Sequence, residues 1–272
     1  MVNKLNHVLE RIQNDSEIKN LWIVQNINSI DRLKINDHGP THMKICMENG
    51  RILMDYINKL GLKTSLTENF VENKFIEKFN FDFEDSEIVV QVALALHDIG
   101  MSIHRMEHAR FSNFLAPKII ERLLKDLYDE RHFVVMRSEI MSAISCHSGE
   151  YKPFTLEGEI VRLSDSLDLS KGRSKIPIRL GKVDIHAVAA RGIEKVKIKF
   201  NKKEKRPITI FIYMTDYAGM LQAKHIFDDD VKGSMLEDFI KIEIDLKRDK
   251  RTKENMIFDE KSGFRLVESN KK

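Results

Sequence analysis

An apolar run that ends in a histidine–aspartate pair constrains this chain more than any other feature. Residues 88–96 are apolar at all but one position, and His97 and Asp98 follow directly. A run this apolar is typical of an element that is buried on all sides. The acidic and hydroxyl residues at 85–87 predict a helix start, and Gly100 predicts a break, so we expect a buried helix that leads into the pair. Packing alone does not explain two adjacent metal-type ligands at the end of such a helix.

Further histidines and aspartates stand at spaced positions on both sides of this pair. Neutral imidazole and carboxylate groups are suitable ligands for Mn, Fe, Co, Ni, Zn or Mg. The set contains no thiolate, which argues against a structural zinc site. The two cysteines of the chain, Cys46 and Cys146, imply no disulfide framework and favour a reducing compartment. The candidate residues outside the pair are His38, His42, His104, His108, His147, Asp165 and Asp168.

Two pairs of these candidates lie close enough in sequence to share a helix face. His104 and His108 are four residues apart, and Asp165 and Asp168 are three apart. Each pair therefore offers one direct ligand and one neighbour that contacts a ligand or the substrate. The central histidine and aspartate point in different directions from one helix end. One of them can hold a metal terminally while the other bridges two ions about 3.5–4 Å apart.

The first half of the chain has the residue pattern of helices. Pro40 suits the first turn of a helix, where its missing N–H costs nothing. This predicts that His42 lies in the opening turn and that His38 precedes the helix. The later helical patterns end near Pro177, so we predict a helical domain over residues 1–178.

Beyond this point the pattern changes from helical to alternating. Residues 196–200 and 208–214 alternate as half-buried strands do, and the polar segment between them favours a hairpin. A helix is predicted from about residue 218 to residue 226, and a third strand at 239–244. We therefore expect a small α+β subdomain over residues 179–246, with about three strands and one or two helices.

Composition argues against two classes of protein. The longest apolar runs fall well short of the roughly 20 residues of a membrane span. The N-terminal residues lack the layout of a signal peptide, so we expect a cytoplasmic protein without membrane contact. The net charge of +3 rests on residues 247–272, where nine basic residues face five acidic ones. We expect this segment to be a solvated basic tail, and since the remainder is not basic, specific nucleic-acid binding is not expected.

These residues, in this order, match a known family. The chain resembles the HD superfamily of metal-dependent phosphohydrolases over about residues 30–175, and looks closest to its archaeal-type branch. The matching elements are a histidine within residues 36–42, the core at residues 97–100 and a distal acid within residues 161–168. The resemblance implies a mainly α fold, in which an HD-type helical bundle carries the small C-terminal α+β subdomain. It also implies metal ligation by His42, His97, Asp98 and Asp165 and, as in the members with two metals, by His108 and His147.

Two departures from the family pattern bear on the substrate. Met101 follows the core glycine, where many members with two metals carry a lysine. The Gly-Tyr-Pro element of the cyclic-dinucleotide phosphodiesterases of this superfamily is also absent. Cyclic-dinucleotide hydrolysis is therefore not expected.

The leading hypothesis is a metal-dependent phosphohydrolase that uses a metal-activated water on a phosphoester or phosphoanhydride. The expected cofactors are two divalent ions of Mn, Mg, Co, Ni, Zn or Fe, and the expected substrate is a nucleotide or related phosphate ester. Asp98 is the expected catalytic residue, because it can orient the water while it ligates metal. The candidate phosphate-binding cations are Arg105, Arg162, Lys171 and Arg173, of which the last two fit a solvated helix exit equally well. The expected neighbours of the ligands are His38, His104 and Asp168.

Two other functions stay open on the sequence alone. Related sites with four histidines and two aspartates can hold two irons and activate oxygen, so a di-iron HD-type oxygenase is one alternative. The other is a non-enzymatic sensor that binds metal or nucleotide and signals through the α+β subdomain. The alternating strands present an edge that could pair with a second copy, which is compatible with a homodimer.

Overall fold

The computed structural model describes residues 3–169, 192–249, 252–259 and 263–267. The chain divides into two compact units. The first comprises Met1–Leu33 and His38–Asp165, and the second comprises Lys34–Asp37 and Ser166–Lys272. The predicted boundary at residue 178 lies outside the described residues.

The first unit is built of helices, as predicted. Its helices are α1 Lys4–Asn14, α2 Ser16–Asn26, α3 Pro40–Leu60, α4 Ser65–Phe70, α5 Phe83–Leu96, α6 His108–Leu124, α7 Glu130–Cys146 and α8 Leu156–Ser166, whose last residue belongs to the second unit. A π-helical turn, Ile27–Arg32, follows α2, and a 3₁₀ turn, Ile99–Ser102, follows α5. Among the described residues, no helix is both long and apolar enough to cross a membrane.

Helix α5 is the centre of this unit. Nearly all of its residues are buried, because α1, α3 and α7 all pack against it. On the side of α3, the approach depends on Gly50, since a Cβ there would lie 2.4 Å from a methyl group of Leu94. The helix starts earlier than the residues at 85–87 predict. Asp82 is the N-cap and forms a capping box with Asp85, each side chain accepting the backbone N–H of the other.

The second unit contains a mixed five-stranded sheet in the order β1-β2-β3-β4-β5. Its strands are β1 Ile193–Phe200, β2 Ile208–Met214, β3 Ile240–Asp249, β4 Thr252–Asp259 and β5 Gly263–Val267. Strands β1 and β2 form the predicted antiparallel hairpin. Strands β2 and β3 are parallel, and the crossover between them contains α9 Met220–His225 and the π-helical turn Ile226–Val231.

One face of β2 and β3 is apolar and buried. Because the strands are parallel and in register, Ile208 pairs with Ile240 and Ile210 with Ile242, and all four side chains are buried. Such alternation is the pattern that predicted these strands. It leaves the intervening side chains on the opposite face.

The prediction for the C-terminal segment needs correction. Residues 247–272 were expected to form a solvated tail, and the subdomain to hold about three strands. Within the described residues, β3 extends to Asp249 and two further antiparallel strands, β4 and β5, complete the sheet. Their sequences are rich in charged residues, so the apolar alternation that marks β2 and β3 is weak there.

Glu139 gives the first unit a testable pH dependence. It lies on α7, and burial, together with the charge of Glu157 on α8, raises its pKa to about 7. A carboxyl whose pKa is higher in the folded than in the unfolded state destabilises the fold as pH rises from about 4.5 through 7. We expect Glu139→Gln to stabilise the protein above pH 7 by up to about 3 kcal/mol, and to differ less from the parent near pH 5.

The measurement is thermal or urea unfolding of parent and variant from pH 5 to pH 8.5. Glu121→Gln, which replaces an exposed carboxylate on α6, is the matched control and should show no pH-dependent difference. A stability difference between Glu139→Gln and the parent that is constant across this range would contradict the assignment.

Candidate metal centre

The histidine–aspartate pair lies where α5 ends and where the last carbonyls of the helix need partners. Ala95 O accepts a hydrogen bond from Trp22 Nε1 at 2.9 Å. Ser112 Oγ donates a hydrogen bond to His97 O at 2.6 Å. The same hydroxyl oxygen of Ser112 accepts the N–H of Gly100 at 2.8 Å. These bonds hold the helix end against α2 and α6 and so fix the direction of the two side chains.

The fold brings six side chains together at this point, and Asp98 lies among four of them. Its Oδ2 is 3.5 Å from Nε2 of both His42 and His97. Its Oδ1 is 3.3 Å from Nε2 of His108 and 3.4 Å from Nε2 of His147. The two oxygens of one carboxylate therefore face two separate pairs of imidazoles.

Asp165, on α8, completes one of these two groups. Its Oδ1 is 3.1 Å from His42 Nε2 and 3.7 Å from His97 Nε2. One group of donors thus consists of two imidazoles and one oxygen from each carboxylate. The other consists of His108, His147 and the remaining oxygen of Asp98.

Backbone carbonyls fix the tautomer of three of the histidines. Nδ1 of His97 lies 2.8 Å from Leu94 O, and the corresponding distances are 3.0 Å for His108 and 2.7 Å for His147. In each case the carbonyl belongs to the residue three positions earlier. Because a carbonyl only accepts, Nδ1 carries the proton and the Nε2 lone pair points into the cluster. This is the arrangement that metal-binding histidines usually have.

The cluster contains one ring nitrogen that no hydrogen bond in the described protein satisfies. This atom, His97 Nε2, is buried and has no hydrogen-bond partner among the described residues. Nε2 of His108 and Nε2 of His147 are 2.9 Å apart, which is a hydrogen bond if one of the two is protonated. Two lone pairs at this distance repel each other unless a cation or a proton lies between them. The donor set therefore fits divalent metal ions, although neither their identity nor their number follows from it.

The carboxylates are held in their ionised form. Burial raises the pKa of Asp98, but the electrostatic effect of the surrounding histidines, His97 first among them, lowers it more, to well below the ordinary value. The pKa of Asp165 lies well below its ordinary value for the same reason, since His42 and His97 outweigh the effect of burial. Burial, by contrast, lowers the pKa of His108. Two buried negative charges thus face imidazoles of which at least one favours the neutral form.

The cluster is partly accessible to solvent. The side chains of His42, His97, Asp98 and His147 are at most 4% exposed, whereas those of His108 and Asp165 are each 22% exposed. A ligand in solution would therefore reach the cluster past His108 and Asp165.

The neighbours predicted from spacing lie in different places. His38 is half-buried, and its ring lies 5.6 Å from that of His42 in an edge-to-face contact. His104 is exposed, and its Nδ1 accepts the N–H of Met106 at 3.0 Å. Asp168 is buried and belongs to the second unit. The structure thus places His42 and His108 in the cluster; that they ligate metal stays a prediction.

Two of the four predicted phosphate-binding cations can be located. Arg105 is exposed, and its carbonyl accepts from His108 Nδ1. Arg162 is half-buried one turn before Asp165, with its guanidinium beside Gly149. Lys171 and Arg173 lie outside the described residues.

Cys46 lies beside this cluster, although none of the ligands expected from the sequence is a thiolate. It follows His42 by one turn of α3, is fully buried, and its Sγ lies 3.4 Å from His42 Nδ1. Together with His42, His97 and Asp165 it forms one of two groups whose ligand atoms lie within 4.8 Å of one another; the other is His97, Asp98 and His147. The spacing of four residues from a predicted ligand was the available signal.

Comparison with known proteins agrees with this geometry. A model of the HD domain family matches residues 41–170, a range that contains all six clustered residues. The chain is also 31% identical over 243 residues to the uncharacterized protein MJ1020 of Methanocaldococcus jannaschii, an alignment that covers 89% of this chain and 90% of that protein. The chain belongs to the HD domain family. No solved structure matches this HD domain protein. The family and the mainly helical fold class predicted from the sequence are confirmed.

The position of Asp98 predicts how metal content responds to mutation. Asp98→Ala should lose all bound metal, because both donor groups share this carboxylate. His147→Ala should lose about half of it, since only one group contains this imidazole. His104→Ala is the control and should keep the parental content. The measurement is elemental analysis of purified protein after dialysis, and an Asp98→Ala protein with parental metal content would rule out a shared carboxylate.

The absence of a side chain at Gly100 allows α6 to pack closely against this residue, which predicts a second effect of mutation. A Cβ at Gly100 would lie 2.0 Å from His108 O and 2.4 Å from Ser112 N, both backbone atoms of α6. Gly100→Ala must therefore displace the first turn of α6 and His108 with it. We expect a loss of about 1–3 kcal/mol in the free energy of unfolding and weaker binding of metal by the His108 group.

Urea unfolding and metal titration measure the two effects. Gly158→Ala is the matched control, because the nearest atom to its Cβ would be a side-chain oxygen, Thr155 Oγ1, at 3.1 Å. Parental stability of Gly100→Ala would show that α6 does not depend on this close approach.

Proposed function

We propose that this HD domain protein is a metal-dependent phosphohydrolase that cleaves a phosphoester or phosphoanhydride of a nucleotide or related phosphate ester. The observation that carries the proposal is the position of Asp98, whose two oxygens face two separate groups of imidazoles at 3.3–3.5 Å. A carboxylate shared in this way is the arrangement expected of two-metal hydrolysis.

The proposed metal positions follow from the two donor groups. His42, His97, Asp165 and Asp98 Oδ2 would hold one divalent ion, and His108, His147 and Asp98 Oδ1 the other. When bound, the ions would lower the pKa of a water molecule and offset negative charge on phosphoryl oxygens. Imidazole and carboxylate donors accept Mn, Co, Ni, Zn and Fe, and oxygen-rich positions accept Mg.

The protein's own residues would orient the reactants. The hydroxyl of Ser112 holds the backbone on either side of Asp98, because it donates to His97 O and accepts the N–H of Gly100. Asp98 would orient the attacking water. The phosphate group would enter past the two more exposed residues of the cluster, His108 and Asp165. Preorganised polar groups of this kind avoid reorganisation during the reaction.

The predicted cations would bind the negative charge of the substrate. Arg162 is the better placed of the two that can be located, because it is half-buried on the same helix as Asp165. A guanidinium can bind two phosphate oxygens at once. Arg105 is exposed, and its own backbone carbonyl orients His108. Lys171 and Arg173 stay predictions from the sequence.

The di-iron oxygenase is the second candidate, because four imidazoles and two carboxylates are also suitable ligands for iron. The two functions differ in what the metal must do. Hydrolysis needs a Lewis acid and no redox change, whereas oxygen activation needs iron in particular. A sensor would need no turnover.

A phosphoester screen tests the proposal. Metal-free protein is reloaded with Mn, Mg, Co, Ni, Zn or Fe and assayed against nucleotides and generic phosphate esters. We expect turnover with at least one redox-inert ion, a loss of at least about 10³-fold in Asp98→Ala, and near-parental activity in the control His104→Ala.

Two outcomes would contradict the proposal. Retention of activity by Asp98→Ala would refute the site assignment. Turnover only with iron and oxygen, accompanied by an iron-dependent optical signal, would favour the oxygenase.

A further inference from the structure

We propose that Cys46 supplies a thiolate ligand to the ion held by His42, His97 and Asp165. This position would then prefer zinc, cobalt or ferrous iron to magnesium. The inference rests on the metal site proposed above. It adds a ligand, the Cys46 thiolate, to the expected histidines and aspartates, and it concerns which cations this thiolate favours.

The sulfur lies within reach of a shared ion. Cys46 Sγ lies 3.6 Å from His42 Nε2 and 4.0 Å from Asp165 Oδ1, and a tetrahedral ion with bonds of about 2.3 Å to sulfur and about 2.0 Å to nitrogen separates such ligand atoms by about 3.5 Å. The sulfur also lies 3.4 Å from Nδ1 of the same ring, so it sits beside the imidazole. Ligation therefore requires the Cys46 side chain to turn toward Nε2.

A second observation points to a ligand at the same place. His97 Nε2, which belongs to the same group of donors, is fully buried and has no hydrogen-bond partner among the described residues. Its tautomer is fixed by the bond from Nδ1 to Leu94 O, so the free lone pair lies in a site that also contains the sulfur. An unsatisfied acceptor in a buried site is costly, and a cation would satisfy it.

The other cysteine, Cys146, provides a comparison, because it is buried in the same fold but is not a potential metal ligand. It is also buried and stands directly before His147, another residue of the cluster. Its sulfur nevertheless lies 3.8 Å from Lys152 O and belongs to neither group of potential ligands. Burial and proximity in sequence are therefore shared by both cysteines, and only Cys46 belongs to a group of potential ligands.

The chemical consequence follows from the softness of sulfur. Ligation would form a sulfur–metal bond and release the thiol proton to solvent. Thiolate favours borderline and soft cations over magnesium, which prefers oxygen ligands. The two proposed positions would then differ, since the His108 group contains no sulfur.

Cobalt substitution tests the proposal without reference to turnover. Metal-free full-length protein is titrated with Co²⁺ and its near-ultraviolet absorption is recorded, where a thiolate-to-cobalt charge-transfer band reports a sulfur–metal bond. We expect the band in the parent and in the control Cys146→Ser, and its loss in Cys46→Ser and Cys46→Ala. Circular dichroism of each variant checks that it is folded.

Competition between metals gives the second readout. We expect Cys46→Ser to weaken zinc binding by at least about tenfold while leaving magnesium binding within about twofold of the parent. Equal losses for both metals would show that Cys46 supports the site without ligating the ion.

The outcomes separate this inference from the proposed hydrolase function. Cobalt that binds without a charge-transfer band, or a band that persists in Cys46→Ser, overturns the thiolate and leaves hydrolysis untouched. A band in a protein that hydrolyses no phosphoester supports the thiolate and counts against hydrolysis. A protein that binds no cobalt overturns both.

Discussion

The contact on which the rest of the structure depends is that of the Asp98 carboxylate with four imidazoles. An ionised carboxylate that leaves water loses several kcal/mol of hydration, and an incomplete set of partners would make its burial strongly destabilising. Here both oxygens have partners, and Asp165 adds a second negative charge beside the same histidines. The surrounding imidazoles compensate these charges only when they are protonated at Nε2 as well, because the Nδ1 protons of His97, His108 and His147 are already committed to backbone carbonyls. A divalent cation compensates the charge and satisfies the inward lone pairs together, which a proton on one ring cannot do.

The helix that carries Asp98 explains why so much of the first unit is apolar. A carboxylate held to within a few tenths of an ångström needs a rigid support, and α5 is enclosed by α1, α3 and α7. The approaches are close, because Gly50 leaves room for Leu94 and Gly100 leaves room for the backbone of α6. Polar groups are introduced only where the helix ends. There Trp22 and Ser112 satisfy carbonyls that would otherwise be buried without partners. The apolar run thus forms the rigid support, and the polar pair at its end is what that support holds in position.

The buried helix and the histidine–aspartate pair could be predicted from the sequence, because these residue types are rarely combined for another reason. The direction in which a side chain points could not be predicted, because it depends on neighbours in space that the sequence does not show. Spacing placed His104 and His108 on one face, but His108 is the first residue of α6 and His104 precedes it. Cys46 resembles a small buried hydrophobe, and only the packing of α3 brings its sulfur to the histidines. The predicted start of α5 at residues 85–87 was wrong, because Asp82 is the N-cap and Asp85, already inside the helix, is its capping-box partner. Strand β4 was missed because charged residues, Lys253 and Glu254 among them, obscure its alternation.

The ligands come from parts of the chain that are distant in sequence, and this couples metal binding to folding. His42 opens α3 and Asp165 lies near the end of α8, so one ion would link elements about 120 residues apart. His108 opens α6 and His147 caps the end of α7, so the other ion would link elements about 40 residues apart. In the unfolded chain the same ligands are dispersed, and the ion would bind the folded state almost exclusively. Binding therefore adds RT ln(1 + [L]/Kd) to stability, about 2.7 kcal/mol at a hundredfold excess over Kd. A cluster that is unfavourable without cations thus becomes, with them, a set of cross-links between the helices of the first unit.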